Sequence, residues 1–239
     1  MLPAIVLMGA LIGASGIGGV LLVPVLAHFG GVALPQAIAA ASMAFALPAL
    51  VALGPMRGQR EWVLRAVPLL LGGLLGAAAG ALVVHWLSVG ALMLGVTALV
   101  LFAGWRGLAT VEAAAGGVAL PGRMVLLVIG TLVGFGSALT GTGGPVLLIP
   151  VLMLMGQPVL FAVIAGQAIQ LPIAFASSTV HALEGRLDIG LALFCGLLML
   201  AGSFAGQRAA ARLDVRQLQR MVSVLLLVLG GWFIWIQLN

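Results

Sequence analysis

Gly141-Thr142-Gly143-Gly144-Pro145-Val146-Leu147-Leu148-Ile149-Pro150 lies inside a long apolar stretch, and Gly16-Ile17-Gly18-Gly19-Val20-Leu21-Leu22-Val23-Pro24 repeats its pattern about half a chain earlier. Glycine and proline at these positions interrupt a helix where no water is present to satisfy the freed backbone groups. The break must therefore be buried in protein or line a cavity. Two such breaks at corresponding places in two halves of a chain point to a transporter's binding site.

The surrounding composition places these breaks in a membrane. The chain has 239 residues, of which 63% are hydrophobic and 6% charged, with a mean hydropathy of +1.31. That is too little polar surface to coat a soluble globule, so the chain reads as a polytopic membrane protein. The first apolar stretch has neither a basic n-region nor an A-x-A-like cleavage site. It is read as part of the folded protein, with Met1 as the expected mature start. The net charge of +5 and pI near 11.6 do not imply nucleic acid, because all ten basic residues are arginines between or at the ends of apolar segments. The lone Cys195 excludes an internal disulfide and reads as a small packed hydrophobe.

Apolar runs fall at 2–29, 35–55, 63–84, 88–105, 124–155, 158–180, 189–207 and 218–238. A shift of about 125 residues pairs Pro35 with Pro158, Pro48 with Pro172, Gly58 with Gly185, Gly76 with Gly202 and Gly80 with Gly206. The chain therefore divides into a first repeat at 1–110, a connecting loop at 111–123 and a second repeat at 124–239. The expected fold is an all-α polytopic membrane protein of two four-segment repeats. Each has a broken or re-entrant first segment plus three spanning helices.

The arginines choose between spanning and re-entry. If all eight segments cross, Arg57, Arg60, Arg65, Arg106, Arg123 and Arg186 face one side and Arg208, Arg212, Arg216 and Arg220 the other. If the two broken segments dip in and return, only Arg186 faces away from the other nine, as the positive-inside rule prefers. Each half then crosses an odd number of times, so the repeats are inverted and both termini lie outside the cytoplasm. Gly72, Gly76 and Gly80, like Gly202 and Gly206, recur at helical spacing and suit close helix packing. Asp214 and Gln217 form a capping box for the last helix, with Arg208 and Arg212 closing the helix before it.

In the hairpin arrangement each glycine motif is a tip near the membrane midplane, where exposed amides at a helix N-terminus attract an anion. The candidate substrate-binding residues are Ser15, Gly16, Gly18 and Gly19 at the first tip and Thr140, Gly141, Thr142, Gly143 and Gly144 at the second. Ser42, Gln167 and Gln170 join them from the following helices. The duplication sets Ser42 against Gln167, and Gln167 and Gln170 share one helical face as amide donors. Ser137, Ser177, Ser178 and Thr179 are the other polar residues within apolar runs, and groups at such depth bond across helices or face a pathway.

No catalytic residue, metal or cofactor is expected. His28, His85 and His181 lie at segment ends without metal-ligand spacing, and Glu61, Glu112, Glu184, Asp188 and Asp214 sit near boundaries, leaving no proton relay across the membrane. Gly13-Ala14-Ser15-Gly16 matches the G-x-S-G serine of rhomboid-like intramembrane proteases. That chemistry needs a base within hydrogen-bond reach of Ser15, and no rhomboid-like helical histidine motif supplies one. The expected partners are a small anionic substrate and the lipid bilayer, without nucleic acid, and a homodimer is left open.

The doubled motif ending in Leu-Val-Pro or Leu-Ile-Pro resembles the signature of the TauE/SafE family of sulfite and organosulfonate exporters, over nearly the whole chain. His181-Ala182-Leu183-Glu184-Gly185-Arg186-Leu187-Asp188 is similar to the family's His-x-x-x-Gly-x-x-Asp loop. Gly202 to Arg220 resembles its glycine-rich helix and basic turn, and Arg57-Gly58-Gln59-Arg60-Glu61-Trp62 is a looser copy of the loop. The resemblance implies a bacterial inner-membrane exporter of a small sulfur oxyanion. Departures bear on specificity: the family's third glycine is missing from copy one and is Pro145 in copy two. Gln167 stands where the family often carries a small hydroxyl residue.

Overall fold

The computed structural model describes residues 2–51, 60–83, 89–109 and 121–238. Arg57, His85, Glu112 and most of the 111–123 loop lie outside the described residues. The described chain is all-helical. Its elements are α1 (Leu2–Ser15), a return segment of three short turns (Gly19–Leu21, Leu22–Pro24 and Val25–Phe29), α2 (Leu34–Ala44) and α3 (Ala46–Val51). There follow α4 (Arg60–Val83), α5 (Val89–Ala109), α6 (Arg123–Thr140), α7 (Gly144–Leu154), α8 (Val159–Leu183), α9 (Ile189–Ala210) and α10 (Val215–Leu238).

Among the described residues six stretches are long and apolar enough to cross a bilayer: Leu34–Val51, Ala66–Val83, Arg123–Thr140, Val159–Leu183, Ile189–Ala210 and Val215–Trp235. Large side chains such as Leu7, Leu132 and Phe175 are more than 60% exposed, which suits a surface solvated by lipid tails. Arg123–Thr140 qualifies by length, yet the chain turns at its end. Gly136 of α6 lies against Leu147 of α7, so the two helices run side by side as a hairpin. The first break does the same, with Gly18 packed against Met8, Leu11 and Ile12 of α1. A helix continuing straight would carry Gly18 about 15 Å past Met8.

Glycines place the hairpins on their neighbours. Gly9 meets Met199 and Gly13 meets Ser203, while Gly202 and Gly206 meet Val6 and Ala10, so α1 and α9 run parallel in close contact. An equivalent seam joins α4 to α6: Gly72 with Leu127, Gly76 with Thr131, Gly80 with Phe135, and in return Gly130 with Leu69 and Gly134 with Gly73. In both seams a methyl group on the glycine would fall onto the neighbour's carbonyl. Such backbone approach is what holds helices together in lipid, where burial of apolar surface offers little gain. The glycines whose spacing predicted packing are those used for it.

Two apolar cores lie around these seams. One gathers Ile5, Ile12, Leu22, Phe45, Cys195 and Met199, confirming Cys195 as a packed hydrophobe; the other is built from α4 to α8 and α10. Pro48 and Pro172, paired by the duplication, act differently. A proline ring displaces the carbonyl four residues earlier, and α2 indeed ends at Ala44, with Phe45 in a turn before α3. Pro172 stays inside the continuous α8. The capping box forms as read, with the Gln217 N–H donating to Asp214 Oδ1 at 2.7 Å and the Asp214 N–H to Gln217 Oε1 at 3.0 Å.

Candidate functional site at the second glycine tip

The two tips meet inside the bundle. Gly16 at the first tip touches Pro145 and Ile149 of α7, and Gly141 at the second touches Val23 of the first return segment and Ile38 of α2. Each turn is tied by a hydroxyl. Ser15 Oγ donates to Leu11 O at 2.7 Å and accepts from the Ile17 N–H at 3.2 Å. Thr140 repeats this by donating to Gly136 O at 2.7 Å and accepting from the Thr142 N–H at 3.4 Å, with Thr142 Oγ1 a further 2.7 Å partner. These hydroxyls cap the turns and hold the glycines in place.

Beside the second tip lies a small cavity of about 10 Å³, close to the least that holds one water molecule. Ser42 and Phe45 line it from α2 and the turn after it, Ser137 from α6, Gly141 and Gly143 from the tip, and Gln170, Ile173, Ala174 and Ser177 from α8. The glycines are required by conformation: Gly141 closes α6 at φ 63°, and Gly143 starts α7 at φ 81°, ψ 148°, a region open almost only to glycine. Pro145 follows in the first turn of α7, where its missing N–H would have had no helical partner.

Polar groups around the cavity divide sharply. Ser42 Oγ donates to Ile38 O at 2.9 Å within its own helix. Gln167, expected to present its amide beside Gln170, instead donates from Nε2 to Ile12 O at 2.8 Å and also approaches Gly13 O at 3.4 Å. It adds a second donor to the Ile12 carbonyl, which already accepts from the Gly16 N–H at 2.7 Å, and so ties α8 to the C-terminal end of α1. Gln170 Oε1 and Ser177 Oγ are buried without any partner, and both residues line the cavity. Of the expected residues, then, Ser42, Gly141, Gly143 and Gln170 meet at the cavity. Ser15, Gly16, Gly18, Gly19, Thr140, Thr142, Gly144 and Gln167 shape the tips around it.

Phe45 was missed by sequence reasoning, and Ser137 and Ser177 were noted only as polar residues at depth. Phe45 is aromatic and gives no polar signal. Its position follows from Pro48, which breaks the helix beside it, and its ring packs against Gly19 and Gly143, touching both tips. Among the described residues no cluster of histidine, cysteine, aspartate or glutamate could hold a metal ion. The cavity can offer hydrogen bonds from hydroxyls, an amide and the start of α7, without a full positive charge.

The family model described as Sulfite exporter TauE/SafE matches residues 1–233 of this chain. The chain belongs to the TauE/SafE family. No curated relative and no solved structure matched. TauE/SafE membership, with six apolar helices long enough to span, makes this a multi-pass membrane transporter, and the family's description implies an exporter of sulfite or a related sulfur anion.

Proposed function

We propose that this TauE/SafE protein exports sulfite or an organosulfonate-like anion across a bacterial inner membrane by alternating access, holding the anion at the second glycine tip. The observation that carries this reading is the cavity where Gly141 and Gly143 meet Gln170, whose Nε2 donor lies beside Gly143, and the unpartnered Ser177 hydroxyl. The cavity admits about one water, and a sulfur oxyanion needs several times that room, so the site opens before it loads. Hydrogen-bond donors without a buried arginine bind an anion weakly enough to release it.

Inverted repeats account for the packing. Each hairpin's first helix lies parallel on the third helix of the other half, α1 on α9 and α6 on α4. Because α6 and α7 fold back, α6 starts at the end of the bundle where α8 begins. Following the chain from there gathers Arg60, Arg65, Arg106, Arg123, Arg208, Arg212, Arg216 and Arg220 at one end and leaves Arg186 at the other. A potential negative inside drives an anion outward with about 2.3 kcal/mol per charge per 100 mV, so export needs no coupled ion.

The test is flux of isotope-labelled sulfite from proteoliposomes at a clamped membrane potential. Saturable flux that survives removal of the pH gradient is expected. Flux that vanishes with the gradient would overturn uncoupled export, and stabilisation by carboxylates but not by sulfite or sulfonates in a thermal-shift screen would overturn the sulfur-anion assignment. Ser15→Ala should retain measurable flux, since its hydroxyl serves the turn; an intramembrane hydrolase would lose all turnover.

A further inference from the structure

We propose that Gln170, Ser177 and His181 line one polar route from the central cavity to the end of the bundle that carries Arg186, with His181 as its outer contact for the departing anion. Positions seven and eleven residues after Gln170 return to within about 20° of it around a helix. The three side chains therefore form a single file along α8. All are buried, at 2%, 0% and 1% exposure, and all carry polar atoms without a partner: Gln170 Oε1, Ser177 Oγ and both ring nitrogens of His181.

Unpaired buried polar atoms are expensive, and a native structure rarely tolerates several in a row without an occupant. Gln170 and Ser177 already face the cavity, and Ala174 between them is small and lines it too. His181 lies one helical turn beyond Ser177. There the Arg186 N–H donates to His181 O at 3.0 Å, and Arg186 pairs with Glu184, so the file ends beside the charged turn that closes α8. The helices packed most closely on α8, namely α2, α3, α7 and the part of α4 after Arg65, bring no titratable side chain to it. Gln170 Nε2 beside Gly143, the Ser177 hydroxyl and an imidazole N–H of His181 can each donate to an anion in turn, while Gln170 Oε1 can only accept, from water in a hydrated route, which gives a series of weak stations rather than one trap.

This inference rests on the export reading, and its test separates the two. Ser177→Cys and His181→Cys proteins in lipid nanodiscs are treated with the anionic thiol reagent 2-sulfonatoethyl methanethiosulfonate, with the buried native Cys195 as the internal reference. Both new thiols are expected to react about ten-fold or more faster than Cys195, as thiols on a wet path do relative to packed ones. In proteoliposomes, His181→Leu is expected to lower saturable sulfite flux about ten-fold, whereas Phe175→Leu on the lipid-facing side of α8 stays within about two-fold. Reaction no faster than at Cys195, or unchanged flux in His181→Leu, would overturn the route. If wild-type protein carries no sulfite, the export reading fails instead, and the labelling rates still judge the route.

Discussion

Gln167 and Gln170 lie three residues apart on one helix face and do different work. Gln167 spends its amide on the α1 carbonyls, so Gln167→Leu should cost about 1–3 kcal/mol and lower the melting temperature while leaving KM for sulfite near the wild-type value. Gln170→Leu should do the reverse, since its oxygen has no partner to lose: melting holds and KM rises. Thermal denaturation and flux kinetics on both variants check the pair, and matching losses in both would reject the division. Gly143→Ala forces a side chain into φ 81°, a strain of about 1–3 kcal/mol, and sets its methyl 3.2 Å from Gln170 Nε2. Flux should fall more than stability. At this scale the sequence marks which residues are polar at depth, but not which of them already have partners. That depends on what another helix presents.

Single helices owe their places to glycine seams and caps. Gly206→Val would drive its side chain into the Ala10 backbone, so α1 and α9 must separate and the first tip move with them. We expect a loss of stability of about 1–3 kcal/mol or more together with reduced flux. Gly231→Val, where nothing lies within reach of the added carbon, should change neither. Asp214→Ala removes one side of the capping box and should cost about 1 kcal/mol without altering KM, because the cap is exposed and distant from the cavity. Chemical denaturation compared with flux distinguishes these outcomes. The helical glycine spacing was legible because it depends only on periodicity. The partner of each seam was not, since each first helix packs across to the other half of the chain.

For the whole molecule, the proposed inverted arrangement sets the turn at 184–188 outside the cytoplasm and the turn at 211–214 inside it. An impermeant thiol reagent applied to right-side-out vesicles should label Glu184→Cys and spare Leu213→Cys in a Cys195→Ala background. Labelling of Leu213→Cys with Glu184→Cys spared, the pattern of eight simple spans, would reject the inverted arrangement, as would equal labelling of both. The sequence by itself determined the membrane setting and the two breaks, because these follow from composition and local glycine and proline chemistry, and its motifs pointed to the family. Only the tertiary structure decided that both breaks fold back, that the tips touch, and that Ser42, Gly141, Gly143 and Gln170 line a cavity at the second tip. Phe45 packs against both tips, while Gln170 lines the cavity beside the second. Whether such a position becomes a packed wall or an open polar contact depends on the groups brought against it from distant parts of the chain.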